Sequence, residues 1–270
     1  MKADDVKAII LDLDGTLLTS RRDISPYTKQ ILLQLGKEGI AVGFASGRGY
    51  SSARIITDPF PPQLPLTLFN GSMVVDKRTD EIIHHLDLDT MIVNELIRRT
   101  RGTTLRLHVS TETLVFLDRE DIPLYKRIDP ITYADCRLLE TLSEADYPCI
   151  KAMITGEETE TTGVAILDEL LKEHPRSFAA VSTFKDHIEI MNPRANKRVG
   201  IELVSAMNNI PMEAIIAFGD AENDCEMIKA VGWGVAMANA SDTLKACADD
   251  ITASNDEDGV GTYLARLFGL

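Results

Sequence analysis

Cysteine is scarce in this chain, and its spacing disfavours the usual cysteine-built sites. The four cysteines among 270 residues are Cys136, Cys149, Cys225 and Cys247. None forms a CxxC pair, and no His-rich segment accompanies them. Zinc sites and disulfide frameworks need grouped ligands or regular pairs, so the pattern predicts reduced thiols.

Long apolar runs are also missing. No stretch of about 18 uncharged apolar residues occurs, so the sequence predicts no transmembrane helix. Near the start, Asp4 and Asp5 precede Ala8–Leu11, an apolar run too short for a signal peptide. These features predict a cytoplasmic protein with no membrane partner.

Positive charge is in deficit. Lys and Arg number 28 against 42 Asp and Glu, which gives a net charge of −14. Binding to nucleic acid or anionic lipid depends on Lys and Arg, so we expect neither partner. A small phosphorylated molecule can still bind if local cations or a metal ion offset the repulsion. The apolar fraction of 44% is enough for a sizeable core in one large domain or two ordinary ones.

Both ends of the chain alternate between strand and helix patterns. Val6–Leu11 has the apolar pattern of a buried strand, Ser25-Pro26 begins a helix, and Ile40–Phe44 predicts the next strand. The last third repeats this rhythm, with predicted helices at 197–207, 223–231, 243–248 and 259–267 and predicted strands at 215–218, 235–237 and 251–252. Strand, helix and strand in succession predict one parallel sheet built from both ends.

The middle of the chain has a different pattern. Leu66–Phe69 and Met73–Val75 flank Asn70-Gly71, which predicts a hairpin. Helical segments at 90–99 and 158–172 then mix with alternating strands at 105–109, 113–117, 150–154 and 178–183. We therefore expect a core domain of residues 1–82 and 187–270, interrupted by an inserted α+β domain of residues 83–186.

Polar residues follow three strands of the predicted parallel sheet. Asp12 and Asp14 follow the first strand, Ser46 the second and Asp220 the strand at 215–218. Lys197 begins a helix near the same edge. Ligands of open parallel sheets bind beyond the carboxyl ends of the strands, so these residues predict a functional site there.

The pair Asp12 and Asp14 suggests a metal ion. Two carboxylates this close repel each other unless a divalent cation lies between them or one of them holds a proton. Mg²⁺ suits such oxygen ligands, and we expect Asp220 as a third carboxylate and Asp224 as a fourth acidic group. Gly15 allows the sharp turn that exposes backbone amides to an anion.

Each candidate also has a plain structural interpretation. Asp, Ser and Gly are common in caps and turns, so no single residue decides the question. Asn223 or Asp224 can simply open a helix, and the Asn-Gly turn accounts for Asn70 without a ligand. Three cations of the insertion are candidates for ligand contacts, but nothing in the sequence distinguishes them from surface charges: Arg106, Lys126 and Lys151.

Four short motifs occur in order along the chain. They are DLDGT (Asp12–Thr16), ASGR (Ala45–Arg48), Lys197 within NKRVG, and GDAEND (Gly219–Asp224). Four further segments are FNGS (Phe69–Ser72), EIMNP (Glu189–Pro193), VAMANA (Val235–Ala240) and SNDEDGV (Ser254–Val260). Together they resemble the haloacid dehalogenase superfamily of aspartate-nucleophile phosphotransferases, and within it the Cof-type branch with a large cap between the second and third motifs.

The resemblance implies an α/β fold with a Rossmann-like parallel-sheet core and an inserted α+β cap that selects the substrate. It implies a Mg²⁺-dependent phosphatase for a small phosphorylated metabolite, with a sugar phosphate as the expected class. Asp12 would attack phosphorus and form an aspartyl-phosphate, and Asp14 would act as general acid and base.

The resemblance also implies which groups bind. Mg²⁺ would be held by the Asp12 carboxylate, the Asp14 backbone carbonyl and Asp220, with Asp224 orienting the metal waters or Lys197. The phosphoryl oxygens would contact the Ser46 hydroxyl, the amides of Leu13 and Gly47, Lys197 and Asn223.

Two other functions remain open from the sequence. A phosphotransferase or phosphomutase would use the same fold, and a non-catalytic protein would only bind a phosphorylated ligand. The presence of Asp12, Asp14 and Lys197 favours catalysis, and the acid/base role implied for Asp14 favours turnover by water. The protein would be a monomer or a homodimer.

Overall fold

Strand β1 (Ala8–Leu11) lies inside a five-stranded parallel sheet and is buried along its whole length. The structure, a computed structural model, describes residues 2–118, 136–139, 142–144, 148–184 and 186–270. Ala8 faces Ala41 of β2 (Ala41–Phe44) on one side and Ile215 of β12 (Ile215–Gly219) on the other. The sheet order β14-β13-β12-β1-β2 is completed by β13 (Trp233–Ala236) and β14 (Asp250–Ile251). The predicted parallel sheet from both chain ends is confirmed.

The helices alternate with these strands as the apolar periodicity predicts. The described α-helices are α1 (Pro26–Lys37), α2 (Tyr50–Thr57), α3 (Thr90–Thr100), α4 (Val164–Glu173), α5 (Lys197–Asn208), α6 (Cys225–Ala230), α7 (Asp242–Lys245) and α8 (Gly259–Phe268). Helix α1 begins where its sequence indicates, because the Ser25 side chain accepts a hydrogen bond from the Thr28 N–H and Pro26 occupies the first position. Within the described ranges, none of the helices is long and apolar enough to cross a bilayer.

The predicted hairpin pairs β3 (Leu66–Leu68) with β4 (Met73–Asp76), which in turn neighbours β5 (Glu81–His85). An isolated parallel bridge between Ala45 and Thr67 continues the edge of β2 towards this hairpin. Its loop is tightly fixed, since a Cβ at Gly71 would lie 1.9 Å from the Asn196 carbonyl oxygen. The hairpin loop is thereby held against the start of α5.

A second sheet forms in the middle of the chain. Its described strands, in the order β10-β11-β9-β6-β7-β8, are β6 (Arg106–Ser110), β7 (Val115–Asp118), β8 (Cys136–Leu139), β9 (Lys151–Thr155), β10 (Ala179–Phe184) and β11 (His187–Met191). These pairs are antiparallel except β7 with β8. A buried apolar cluster joins Ile92 and Leu96 of α3 and Leu170 of α4 to Val109 and Ile154 of the sheet. This is the α+β architecture expected of the insertion.

The other face of this sheet is polar yet buried. Lys151 and Glu189 are both 8% exposed, and the Lys151 ammonium donates to Glu189 Oε1 at 2.6 Å. The sequence does not distinguish Lys151 from a surface charge, but the structure buries it, because a neighbouring strand supplies a carboxylate partner. Arg106 is half-buried, and Lys126 lies outside the described residues.

The chain divides into two compact units. One contains Met1–Gly47, Ile56–Ile83 and Asn196–Leu270, and the other contains Arg48–Ile55 and His84–Ala195. The second boundary of these units lies after residue 195 instead of the predicted 186/187, because β11 pairs with β9 and β10.

His108 gives the second unit a testable pH dependence. Burial lowers the pKa of His108 to about 3, and the charges of His187 and Lys151 lower it further. Below the unfolded-state pKa of about 6.5, the unfolded chain takes up a proton that folded His108 refuses. Folding stability should therefore fall as the pH drops from 6.5 towards 3, with His108 contributing a loss of about 2 kcal/mol by pH 5.

The measurement compares chemical denaturation of the wild type and His108→Gln at pH 7.5 and pH 5. The variant cannot titrate at this position, so it should lose less stability on acidification than the wild type. Equal losses in the two proteins would contradict a neutral buried His108.

Candidate active site

The loop after β1 places Asp12 inside the protein. Asp12 is 5% exposed, and its N–H donates to the Phe218 carbonyl of β12 at 3.1 Å. Gly15 has φ +76°, and a Cβ there would lie 2.3 Å from Asp220 Oδ2. The glycine thus provides both the left-handed turn and the space that bring this loop against Asp220.

The loop after β12 is organised around Asp224. This residue is fully buried, and its Oδ2 accepts hydrogen bonds from the N–H groups of Asp220 at 3.0 Å and Ala221 at 3.1 Å. A Cβ at Gly219 would lie 2.6 Å from the Asp224 Cβ, so the loop closes tightly on this side chain. Asp224 therefore fixes the backbone that carries Asp220.

Lys197 joins the two loops. It begins α5 after Asn196, whose side chain accepts from the Val199 N–H, and it is 1% exposed. Its Nζ donates to Asp12 Oδ1 and to Asp224 Oδ1, each at 2.5 Å. Burial lowers the pKa of Lys197, but the two carboxylates outweigh this effect and raise it above its ordinary value. The site therefore contains a permanent ammonium charge.

Three acids lie close together at this site. Carboxylate oxygens of Asp12, Asp220 and Asp224 all lie within 4.8 Å of one another. Burial and the charges of Asp224 and Asp220 raise the pKa of Asp12 well above its ordinary value, although Lys197 opposes this. Burial and then the charge of Asp224 raise the pKa of Asp220 to about 6, while a 2.9 Å hydrogen bond from the Thr16 hydroxyl lowers it.

This donor set fits a hard divalent cation. The crowding that raises the carboxyl pKa values is the crowding that such a cation relieves. Asp224 already accepts from Lys197 and two amides, which leaves Asp12 and Asp220 as the carboxylates better placed to hold an ion. Asp14 is exposed, and the family resemblance implies that only its backbone carbonyl would bind metal.

A polar network connects the remaining candidates. Ser46 is 1% exposed, and its N–H donates to the Thr67 carbonyl while its own carbonyl accepts from the Asn70 N–H at 3.0 Å. The Asn223 side-chain amide donates to Asn70 Oδ1 at 2.9 Å, and a Cβ at Gly47 would lie 3.0 Å from the same oxygen. Asn70 therefore connects the loops after β2, β3 and β12.

Asn70 makes a contact beyond the turn that its Asn-Gly sequence predicts. It does occupy the turn, with φ +54°, but its side chain is buried and bonded to Asn223. The FNGS segment was the only signal in the sequence that pointed to this residue. The Leu13 side chain is fully buried, so only the backbone of this residue can take part in binding.

The chain is similar in sequence to a known family of hydrolases and to proteins named as phosphatases. The family described as haloacid dehalogenase-like hydrolase matches residues 9–264. The 5-amino-6-(5-phospho-D-ribitylamino)uracil phosphatase YitU of Bacillus subtilis is 31% identical, over 97% of this chain and 97% of that protein. Phosphatase YwpJ of the same organism is 26% identical, over 97% of this chain and 100% of that protein.

The fold has a close counterpart among solved structures. A haloacid dehalogenase-like hydrolase from Bacteroides thetaiotaomicron superposes with a TM-score of 0.87 at 26% identity. The similarity covers 97% of this chain and 100% of that one, so it includes both compact units.

Proposed function

Because the chain belongs to the haloacid dehalogenase-like hydrolases, we propose that it is a Mg²⁺-dependent phosphatase acting on a small phosphorylated metabolite through an aspartyl-phosphate on Asp12. One observation carries the proposal. The buried Asp12 carboxylate is held 2.5 Å from the Lys197 ammonium, beside Asp220 and Asp224. An immobilised carboxylate next to a fixed cation suits attack on an anionic phosphate.

The reaction consists of two displacements at phosphorus. In the first, an Asp12 oxygen bonds to phosphorus while the bond to the leaving oxygen breaks, and Asp14 donates a proton to that oxygen. In the second, Asp14 takes a proton from water, the water oxygen bonds to phosphorus, and the Asp12 carboxylate is released. The exposure of Asp14 gives it access to solvent for this exchange.

Charge compensation is the main contribution of the other residues. Lys197, the Ser46 hydroxyl, the Asn223 amide and the backbone N–H groups of Leu13 and Gly47 would hold the phosphoryl oxygens. Mg²⁺, held by the Asp12 carboxylate, the Asp14 carbonyl and Asp220, would supply positive charge against the repulsion between carboxylate and phosphate.

The proposed substrate class is a sugar phosphate or a related polyol phosphate. The relative YitU is named for a compound that carries its phosphate on a ribityl chain. We assign substrate selection to the inserted domain, residues 83–186 by the sequence boundaries, because the core residues described above deal with the phosphate alone.

The direct test is phosphate release from a panel of compounds in the presence of Mg²⁺. The panel contains sugar phosphates, nucleotides, pyridoxal phosphate and 5-amino-6-(5-phospho-D-ribitylamino)uracil, with Asp12→Asn as the blank. Release that is absent in the blank is expected, highest for phosphorylated sugars or polyols. No release, with the phosphate moved to another hydroxyl of the same compound, would overturn the hydrolase in favour of a mutase.

Removal of the metal should stop the reaction reversibly. Dialysis against a chelator is expected to reduce phosphate release to the level of the blank, and added Mg²⁺ should restore it. Binding of Mg²⁺ should also lower the pKa of Asp220 from about 6. The acid limb of the pH profile of phosphate release should therefore shift to lower pH as the Mg²⁺ concentration increases. Full activity in the chelator would contradict the proposed metal site.

Asn70 should position Asn223 for the phosphate. Asn70→Gly removes the side chain but suits the left-handed backbone, and we expect kcat/KM to fall about 3- to 10-fold, the equivalent of one hydrogen bond. Asn209→Gly is the matched control, because Asn209 is also left-handed, with φ +53°, but is exposed at the end of α5. Equal activities in the two variants would remove Asn70 from the site.

A further inference from the structure

Two cysteines that are distant in the sequence meet in the fold. The Sγ atoms of Cys225 and Cys247 lie 3.5 Å apart, and both are free thiols. The Cys247 thiol also donates to the Thr243 carbonyl at 3.1 Å. A disulfide needs a separation of about 2.05 Å, so closure of about 1.5 Å would join them.

Each of the two cysteines is connected to the loop after β12, which carries Asp220 and Asp224. Cys225 directly follows Asp224, the residue that binds Lys197 and the amides of Asp220 and Ala221. Cys247 follows α7, whose preceding residue Ser241 donates its N–H to the Asp220 carbonyl at 2.9 Å.

The loop from Asp220 to Asp224 is held by further contacts, so it has little freedom to absorb a movement of Cys225. The Thr243 hydroxyl donates to Glu222 Oε1 at 3.1 Å, which adds a second link between α7 and the loop. At the other end, Gly219 has no space even for a Cβ beside Asp224. A shift of Cys225 towards Cys247 is therefore expected to move Asp224 and, through it, Lys197.

We propose that Cys225 and Cys247 form a redox-modification site, in which a peroxide converts the thiol pair into a disulfide that displaces Asp224 and lowers activity. The part that concerns activity rests on the proposed phosphatase function. The formation of the bond itself does not.

The chemistry balances with hydrogen peroxide as the oxidant. Cys247 is the more exposed of the two, so its sulfur attacks one peroxide oxygen and the O–O bond breaks. The hydroxide that leaves takes up the Cys247 thiol proton, which gives a sulfenic acid and one water. The sulfur of Cys225 then attacks the Cys247 sulfur, the S–O bond breaks, and hydroxide leaves with the Cys225 proton as a second water. Two thiols are oxidised to one disulfide, and the peroxide is reduced to two waters.

The environment of the thiols supports this order. Burial raises the pKa of Cys225 to about 11, so Cys225 is a poor initial target and acts through its proximity to the oxidised partner. Cys149 offers a matched control, because it is buried in the other compact unit, and burial raises its pKa to about 12.

The experiment treats the purified full chain with hydrogen peroxide, quenches it and maps it by mass spectrometry after trypsin. Cleavage after Arg198, Lys229, Lys245 and Arg266 places Cys225 in peptide 199–229 and Cys247 in peptide 246–266. We expect one cross-linked species of these two peptides, lighter by two hydrogens than their sum. It should form in Cys149→Ser but not in Cys247→Ser.

Activity is measured on the same samples. A shift of about 1 Å in a catalytic group costs on the order of 10²-fold in rate, and we expect a loss of that size in the wild type, reversed by dithiothreitol. Cys247→Ser should keep its activity after peroxide. Absence of the cross-link would overturn the proposal, as would a cross-link without loss of activity or equal inactivation of Cys247→Ser. Failure of the phosphatase function itself would instead appear as no activity before oxidation.

Discussion

Asp12→Asn should abolish turnover while the protein remains folded. The amide has nearly the shape of the carboxylate but cannot attack phosphorus, so we expect the rate to fall by at least about 10³-fold. Lys197 keeps its second partner, Asp224 Oδ1 at 2.5 Å, and the crowding among Asp12, Asp220 and Asp224 decreases. Thermal unfolding should therefore occur within a few degrees of the wild type.

The matched control is Asp5→Asn, which makes the same chemical change on an exposed residue just before β1. It should keep wild-type activity. Phosphorus-32 from a labelled substrate should attach to the wild-type protein after acid quenching and not to Asp12→Asn. Turnover in Asp12→Asn within tenfold of the wild type would exclude Asp12 as the nucleophile.

Lys197→Met should damage both stability and activity. The substitution leaves Asp12 and Asp224 as buried carboxylates without their shared ammonium, and breaking a buried ion pair costs about 3–5 kcal/mol. Loss of the fixed positive charge should also reduce kcat by about 10²-fold or more. Urea denaturation and phosphate release measure the two effects.

Two further variants separate the effect on stability from the effect on activity. Arg198→Met alters the next residue, an exposed cation paired with Glu202 across one helical turn, and should change neither property much. Lys197→Met combined with Asp224→Asn removes one of the stranded charges, so it should recover part of the stability and none of the activity. A Lys197→Met protein as stable as the wild type would contradict the description of a buried, charged cluster.

Much of the core fold follows from local sequence. The segments AIIL of β1 and IIAFG of β12 are short apolar runs that end in turn residues, and the cap and proline of α1 specify its start. The predicted boundary places the residues of β11 in the core domain. Their alternating sequence, HIEIM, is compatible with a strand but does not reveal which sheet that strand joins. Its partners, β9 and β10, are fixed by pairing between segments that no local pattern connects.

The site was only partly predictable for a similar reason. Carboxyl ends of adjacent parallel strands converge, so the meeting of Asp12 and Asp220 follows once β1 and β12 are neighbours. The burial of Asn70 and Lys151 does not follow, because an Asn-Gly turn or a strand lysine has the same local sequence whether it is exposed or covered. Their partners, Asn223 and Glu189, come from distant segments.

The pairing of β1 with β12 also determines when the site can exist during synthesis. Thr16 and Asp220, which share a hydrogen bond, are 204 residues apart in the chain. A ribosome adding about 5–20 residues per second needs roughly 10–40 s to span that distance. Throughout this interval β1 is present without its partner on one side, and Asp12 lacks Lys197 for almost as long. The cluster of Asp12, Lys197 and Asp220 therefore cannot assemble until Asp220 has been synthesised, which makes it a late event of folding.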